Sequence, residues 1–186
     1  MPLKALGYIG ANAVNLQEWK DYACDIFGAQ VIDERPDQLK LRLDDKHHRM
    51  TIHKADAPGA RYFGWDAGSR GGLADTVALL RQRGCEVKEG TVAECEDRRV
   101  MGLVPVDDPS GHALELLYGQ ISGSPFQPAR PLSGSRLGRM LTAHVVLMPP
   151  LLDPRLALYV PRARLTSDYL AIPALHARND HLLHFH

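Results

Sequence analysis

The sequence predicts an α+β fold built from two copies of one βαβββ unit, and three observations carry that prediction. The order strand, helix, strand, strand, strand can be read over residues 6–54 and again over residues 61–118. Between the two copies lies a break, Ala55-Asp56-Ala57-Pro58-Gly59-Ala60, of the composition that ends regular structure. The chain is also long enough to bury a real core, with 186 residues of which 45% are hydrophobic and 24% charged.

The elements follow in order. Leu6 to Val14 is a run of small and apolar residues read as a strand. Asn15 then stands where a helix cap belongs, and Leu16, Trp19, Ala23 and Ile26 recur at helical spacing until Gly28 ends the helix. Three strands are expected next, at Gln30 to Glu34, Leu39 to Leu43 and Arg49 to Lys54. In these, Leu39, Leu41 and Leu43 share one face, as do Met50 and Ile52. In the second copy, Arg61 to Asp66 reads as a strand. Gly72 to Arg83 reads as a helix with Leu73, Val77 and Leu80 on one face, closed by Gly84. A short strand at Glu86 to Lys88, a longer one at Val100 to Val106 and a last one at His112 to Tyr118 complete the unit. Asp108-Pro109-Ser110-Gly111 forms the tight bend before the last strand.

From Ser122 to Gly138 the composition turns to Ser, Gly, Pro and Arg, which divides the chain into a paired-module domain at 1–121, a linker at 122–138 and a partial second module at 139–186. A new strand opens near Met140, after which Pro149, Pro150, Pro154 and Pro161 interrupt any helix. The formal net charge is zero, so there is no basic field for nucleic acid or an anionic membrane. Three cysteines without a CxxC spacing give neither a disulfide framework nor a structural zinc site. Neither a signal-peptide pattern nor an apolar run of about 20 residues is present. The expectation is a reduced, cytoplasmic, soluble protein.

Several stretches resemble a known family. They are Leu6-Gly7-Tyr8-Ile9-Gly10, Leu41-Arg42-Leu43-Asp44-Asp45 with His47-His48-Arg49, Asp97-Arg98-Arg99 before Val100, and Asp108 to Gly111 leading into Leu114-Glu115-Leu116. They are similar to the type I two-domain extradiol ring-cleavage dioxygenases of the vicinal oxygen chelate, or glyoxalase and bleomycin-resistance, superfamily. The resemblance implies paired βαβββ modules, with a complete N-terminal domain and part of a second. It implies opening of a bicyclic catechol such as 2,3-dihydroxybiphenyl by O2 at non-haem Fe(II), in aromatic hydrocarbon catabolism. The family holds its iron with two His and one Glu, a set that leaves coordination positions open for diol and dioxygen. Iron there acts as a template that holds the two reactants together. By resemblance, His144 in Leu141-Thr142-Ala143-His144-Val145-Val146-Leu147 is the first metal ligand and His181 in Asn179-Asp180-His181 is the second. The separation of these histidines is shorter than the family's, and the third ligand would lie on a later strand. The resemblance therefore implies an incomplete catalytic module that holds iron less firmly. The partners it implies are a small aromatic diol, O2 and further copies of the chain in a homo-oligomer, with no nucleic acid and no membrane.

Other candidates have plainer readings. Glu115 holds, in its own module, the place of a ligand glutamate. The matching first-strand position is Tyr8 or Ile9, neither of which suits iron, so Glu115 is read as a structural carboxylate. His47, His48 and His53 lie near a turn and a strand end and are read as solvated. His184 and His186 alternate with His181, so a surface metal cluster there is an alternative. Two other functional readings stand beside the dioxygenase. One is a non-catalytic protein whose paired modules bind a hydrophobic ligand or a sister subunit. The other is an enzyme that borrows a carboxylate from another chain.

Overall fold

The computed structural model of the protein describes residues 3–108 and 111–130. Ten elements follow one another: β1 (Ala5–Ala13), α1 (Leu16–Asp25), β2 (Gln30–Arg35), β3 (Gln38–Arg42), β4 (Met50–Lys54), β5 (Gly59–Asp66), α2 (Arg70–Gln82), α3 (Val92–Arg98), β6 (Gly102–Asp107) and β7 (Ala113–Tyr118). The caps are those that the local chemistry requires. The Asn15 side chain accepts from the backbone N–H groups of Gln17 and Glu18, and that of Ser69 from Gly72, satisfying donors that the first turn leaves free.

The strands form one mixed sheet in the order β2-β3-β4-β1-β5-β7-β6. This order is the duplication written in space. In the first copy β1 pairs in parallel with β4, and in the second β5 pairs in parallel with β7. The antiparallel pairing of β1 with β5 joins the copies at the middle of the sheet.

Both long helices lie on the same face. Trp19 and Ala23 of α1 pack on Leu39, Leu41 and Ile52, while Leu73, Val77 and Leu80 of α2 pack on Val104, Val106 and Leu116. Each such large apolar side chain stabilises the fold by roughly 1.5–3 kcal/mol when fully buried.

Two features differ from the sequence expectation. Residues 86–88 form no strand, although they pass beside β6, where Gly90 N donates to Leu103 O at 3.0 Å. That bond shows that Leu103 turns its backbone groups to the outer edge of β6, and by the two-residue period Pro105 does the same. Proline has no N–H to offer, so the outer ladder cannot continue there. The second difference is α3, a helix that the periodicity did not reveal. It begins with a complete capping box between Thr91 and Glu94, the S/T-x-x-E pattern, which is legible in the sequence.

Residues 122–130 run back along the first copy. Gly123 N donates to Asp45 O at 2.9 Å, Arg42 Nη1 reaches Ser124 O at 3.0 Å, and Ala129 N donates to Gly28 O at 3.1 Å. No helix among the described residues is long and apolar enough to cross a membrane. Cys24, Cys85 and Cys95 form no disulfide among the described residues.

Candidate functional site

Strand alternation that sends Leu39, Leu41, Ile52, Leu114 and Leu116 toward the helices sends another set to the opposite face: Lys40, Thr51 and His53, then Tyr8, Tyr62, Glu115 and Leu117. This second face is a cup lined by polar and aromatic groups, and α3 closes it. At its centre the Glu115 carboxylate accepts three hydrogen bonds. Tyr8 Oη donates to Oε2 at 2.6 Å, Arg98 Nε donates to the same oxygen at 3.0 Å, and Arg98 Nη2 donates to Oε1 at 3.0 Å. The two-pronged guanidinium contact is the strong, direction-specific form of ion pair. The guanidinium also lies over the Tyr62 ring, 3.9 Å from its centroid, where the ring's negative face adds attraction. Arg98 further contacts the Asp97 carboxylate, and Lys40 Nζ donates to both Asp97 Oδ1 at 2.6 Å and Asp97 O at 2.7 Å.

The two tyrosines are seated by two glycines. Tyr8 on β1 faces Gly64 on β5, and Gly10 on β1 faces Tyr62 on β5. A Cβ on Gly64 would stand 2.4 Å from Tyr8 Cε2, and a Cβ on Gly10 would stand 2.3 Å from Tyr62 Cζ. Each ring thus lies flat across the bare backbone of its partner strand. The same exchange in both directions marks the symmetry of the two copies.

Charge in the cup is set by burial and pairing. Burial, with the Glu115 carboxylate next to it, holds the Tyr8 phenol far above its ordinary pKa, and burial pushes Tyr62 up to about 12. Burial alone would raise Asp97, but the Lys40 hydrogen bond and the charges of Lys40 and Arg98 outweigh it and hold the carboxyl below its usual range. The expectation of solvated histidines fails for His48, which is 1% exposed. Its Nδ1 lies 3.1 Å from His47 Nδ1, its Nε2 has no protein partner, and its ring stacks at 6.2 Å on Tyr8. Burial, then the Lys40 charge, pushes His48 down to about 3, and burial with Arg61 pushes His53 down to about 4. The unfolded chain therefore takes up protons below about pH 6.5 that the folded chain refuses. Stability that is fully present above that pH is lost as the pH falls toward 4. Urea midpoints at pH 7, 5.5 and 4.5 should fall more steeply for the wild type than for His48→Leu. Equal slopes would mean that His48 is not held neutral.

This arrangement stabilises charge but leaves none available. Glu115 has the guanidinium as its cation, so no metal fits beside it, and among the described residues no group of three or more His, Cys, Asp or Glu is placed to hold a metal ion. The structural reading of Glu115 agrees with this geometry. The sequence-derived metal ligands His144 and His181 lie outside the described residues. The groove beside the cup, about 610 Å³, is lined by Asp33, Arg35, Lys40, His47, Asp97 and Arg99. Within it Asp33 pairs with Arg35 and Lys40 with Asp97.

Two related units, β1-α1-β2-β3-β4 and β5-α2-α3-β6-β7, share one sheet with both long helices on one face and a polar cup on the other, and they define a paired-module domain of the vicinal oxygen chelate fold. The family model for dihydroxybiphenyl dioxygenase BphC D1 matches residues 6–54. A biphenyl-2,3-diol 1,2-dioxygenase of Sphingomonas paucimobilis is 37% identical over 132 residues, which are 69% of this chain and 44% of that protein. An iron-dependent extradiol dioxygenase of Rhodococcus jostii is 31% identical over 120 residues, 64% of this chain and 40% of that protein. A crystal structure of a catechol 2,3-dioxygenase superposes with a TM-score of 0.79 at 32% identity, over 86% of this chain and 54% of that one. The chain belongs to the type I extradiol ring-cleavage dioxygenases, and it spans about half the length of the relatives it matches.

Proposed function

We propose that the described domain is the metal-free scaffold of an extradiol dioxygenase and that ring-opening chemistry belongs to the chain that follows it, at His144 and His181. The carrying observation is the Glu115 carboxylate, closed off by Tyr8 and both prongs of Arg98. A domain that neutralises its own ligand-position carboxylate serves as framework, so catalysis falls to the module from 139 onward, beyond a domain reaching to about 121 and a connecting stretch at 122–138. The substrate class is a bicyclic catechol such as 2,3-dihydroxybiphenyl, cleaved with O2 at non-haem Fe(II) in a reducing, cytoplasmic setting. The diol named for the Sphingomonas relative supports that class, and the Rhodococcus relative supports iron. Two imidazoles suit Fe(II) by donor type. When bound, the iron supplies adjacent coordination positions for diol and dioxygen.

The test is anaerobic Fe(II) loading of the full chain, followed by desalting, metal analysis and assay for the yellow ring-opened product of 2,3-dihydroxybiphenyl. With two of the family's three ligands the wild type is expected to hold iron less firmly than a relative with all three, and His144→Ala and His181→Ala are each expected to lose the iron it holds and the turnover that goes with it. Activity that climbs steeply with protein concentration would point to a carboxylate supplied by another copy of the chain. An iron-free, inactive wild type would sink the catalytic reading in favour of a protein that binds a hydrophobic ligand or a sister subunit.

A further inference from the structure

We propose that the mouth of the groove at His47, where Arg42, Lys46 and Arg99 come together, binds a small oxyanion, a carboxylate or a phosphate. The inference does not depend on the chemistry proposed above.

The chain that leaves β7 gathers these cations. His47 N donates to Ile121 O at 2.9 Å and Ile121 N donates to Arg99 O at 2.8 Å, so residues 47, 121 and 99 lie side by side. Lys46 Nζ donates to Gln120 O at 3.2 Å and Arg42 Nε to His47 O at 3.1 Å. Arg42 Nη1 donates to Ser124 O at 3.0 Å and to Ser124 Oγ at 3.1 Å. All of these acceptors are uncharged. Among the described residues Arg42, Lys46 and Arg99 have no ion-pair partner, whereas Arg35, Lys40, Arg49 and Arg98 each have one. Arg42 is the unusual member. It is 5% exposed, and a charge so far from water is ordinarily paired with an opposite one. Its Nη2 has no hydrogen-bond partner among the described residues. The one unpartnered side-chain atom sealed from solvent among those residues is His48 Nε2, so Arg42 Nη2 keeps an opening through which an acceptor can reach it.

The field at this point is positive. His47 is held below its ordinary pKa first by burial and then by the charges of Arg99, Arg42 and Lys40, with Asp33 opposing. A field that repels a proton from His47 attracts an anion to the same place. Asp45 and Glu96, the neighbouring carboxylates without an ion pair among the described residues, are both exposed, where water and salt screen them. The adjoining groove of about 610 Å³, lined in part by His47, Lys40 and Arg99, has room for a small ion. The net charge of zero gives the chain no extended basic field, which suits a small ion and not a polyanion.

Titration of the full chain with inorganic phosphate and, separately, with benzoate at constant ionic strength tests this. The readout is the proton–nitrogen correlation spectrum of the arginine Nε–H groups and histidine rings. The Arg42 and His47 signals are expected to move and saturate with one or both ions, while Arg70, exposed at the start of α2, stays still. Saturation with both ions assigns the site to oxyanions in general, and saturation with one alone assigns it to that class. Arg99→Gln is expected to weaken binding by about tenfold or more, the equivalent of one charge-assisted hydrogen bond. Arg70→Gln, the same loss of charge on the helix face of the sheet, should leave binding unchanged. Far-ultraviolet circular dichroism confirms that Arg99→Gln keeps its fold, and Lys46→Gln provides a second variant if it does not. Shifts that grow without saturating for both ions would overturn the proposal. So would saturable binding that Arg99→Gln and Lys46→Gln weaken no more than Arg70→Gln does.

Discussion

Arg98→Met is expected to cost the domain about 3–5 kcal/mol, the range for removing one partner of a buried ion pair. The argument rests on what the substitution leaves behind. Arg98 and Glu115 side chains are only 13% and 10% exposed, and the variant strips two of the three hydrogen bonds that Glu115 accepts. The carboxylate then keeps its burial and loses its cation, while Tyr62 loses the charge over its ring. A second substitution separates pairing from packing. If the cost is the stranded carboxylate, Arg98→Met with Glu115→Leu should recover most of the loss, because an apolar pair of similar volume carries no unpaired charge. Urea unfolding of the wild type, both single variants and the double variant closes the cycle. A loss below about 1 kcal/mol for Arg98→Met would place the pair among solvent-screened surface bridges and refute the central reading of the cup.

Gly64→Ala should destabilise by about 1–3 kcal/mol or more, the cost of forcing atoms into a filled core. The added Cβ would meet the Tyr8 ring at 2.4 Å, and that ring is held by Glu115 at its hydroxyl, so it has little freedom to give way. Gly10→Ala meets the Tyr62 ring at 2.3 Å and should behave alike. Gly59, on the same strand as Gly64, has nothing within 4 Å of its would-be Cβ, so Gly59→Ala should be close to neutral. Shrinking the obstacle supplies the control. Tyr8→Ala loses its own packing, but adding Gly64→Ala to it should cost little further. Thermal or urea midpoints for the set decide the matter, and an equal response of Gly59 and Gly64 would show that general strand propensity, not ring contact, sets the cost.

The helices, most of the strands and the duplicated order were legible in the sequence, because each of those elements buries a periodic apolar face. Asn15, Ser69 and Gly28 stand at helix ends for reasons that neighbouring residues alone supply. The errors have equally local causes. Residues 86–88 have strand-like composition, but the edge beside them carries Pro105, a fact about the neighbouring strand. α3 has no buried residue of its own, so hydrophobic period could not find it, while its capping box could.

The cup was harder to see. Alternation along β3 shows that Lys40 lies opposite Leu39 and Leu41, and an opposite face is ordinarily a wet one. Here Lys40 is 3% exposed because Asp97, 57 residues later, closes over it. His48 was misread for the same reason, since its burial depends on Tyr8 and on the chain that packs around it.

What the sequence determined by itself is the fold, since period, caps and composition are properties of residues near one another along the chain. The resemblance of a few short stretches added the family. What only the tertiary structure decided is the state of the one carboxylate in the ligand position. Tyr8, Arg98 and Glu115 stand on β1, α3 and β7, and sheet pairing between distant segments brings them within hydrogen-bond reach. Whether a buried glutamate is an open ligand or a closed ion pair depends on what lies within about 3 Å of it.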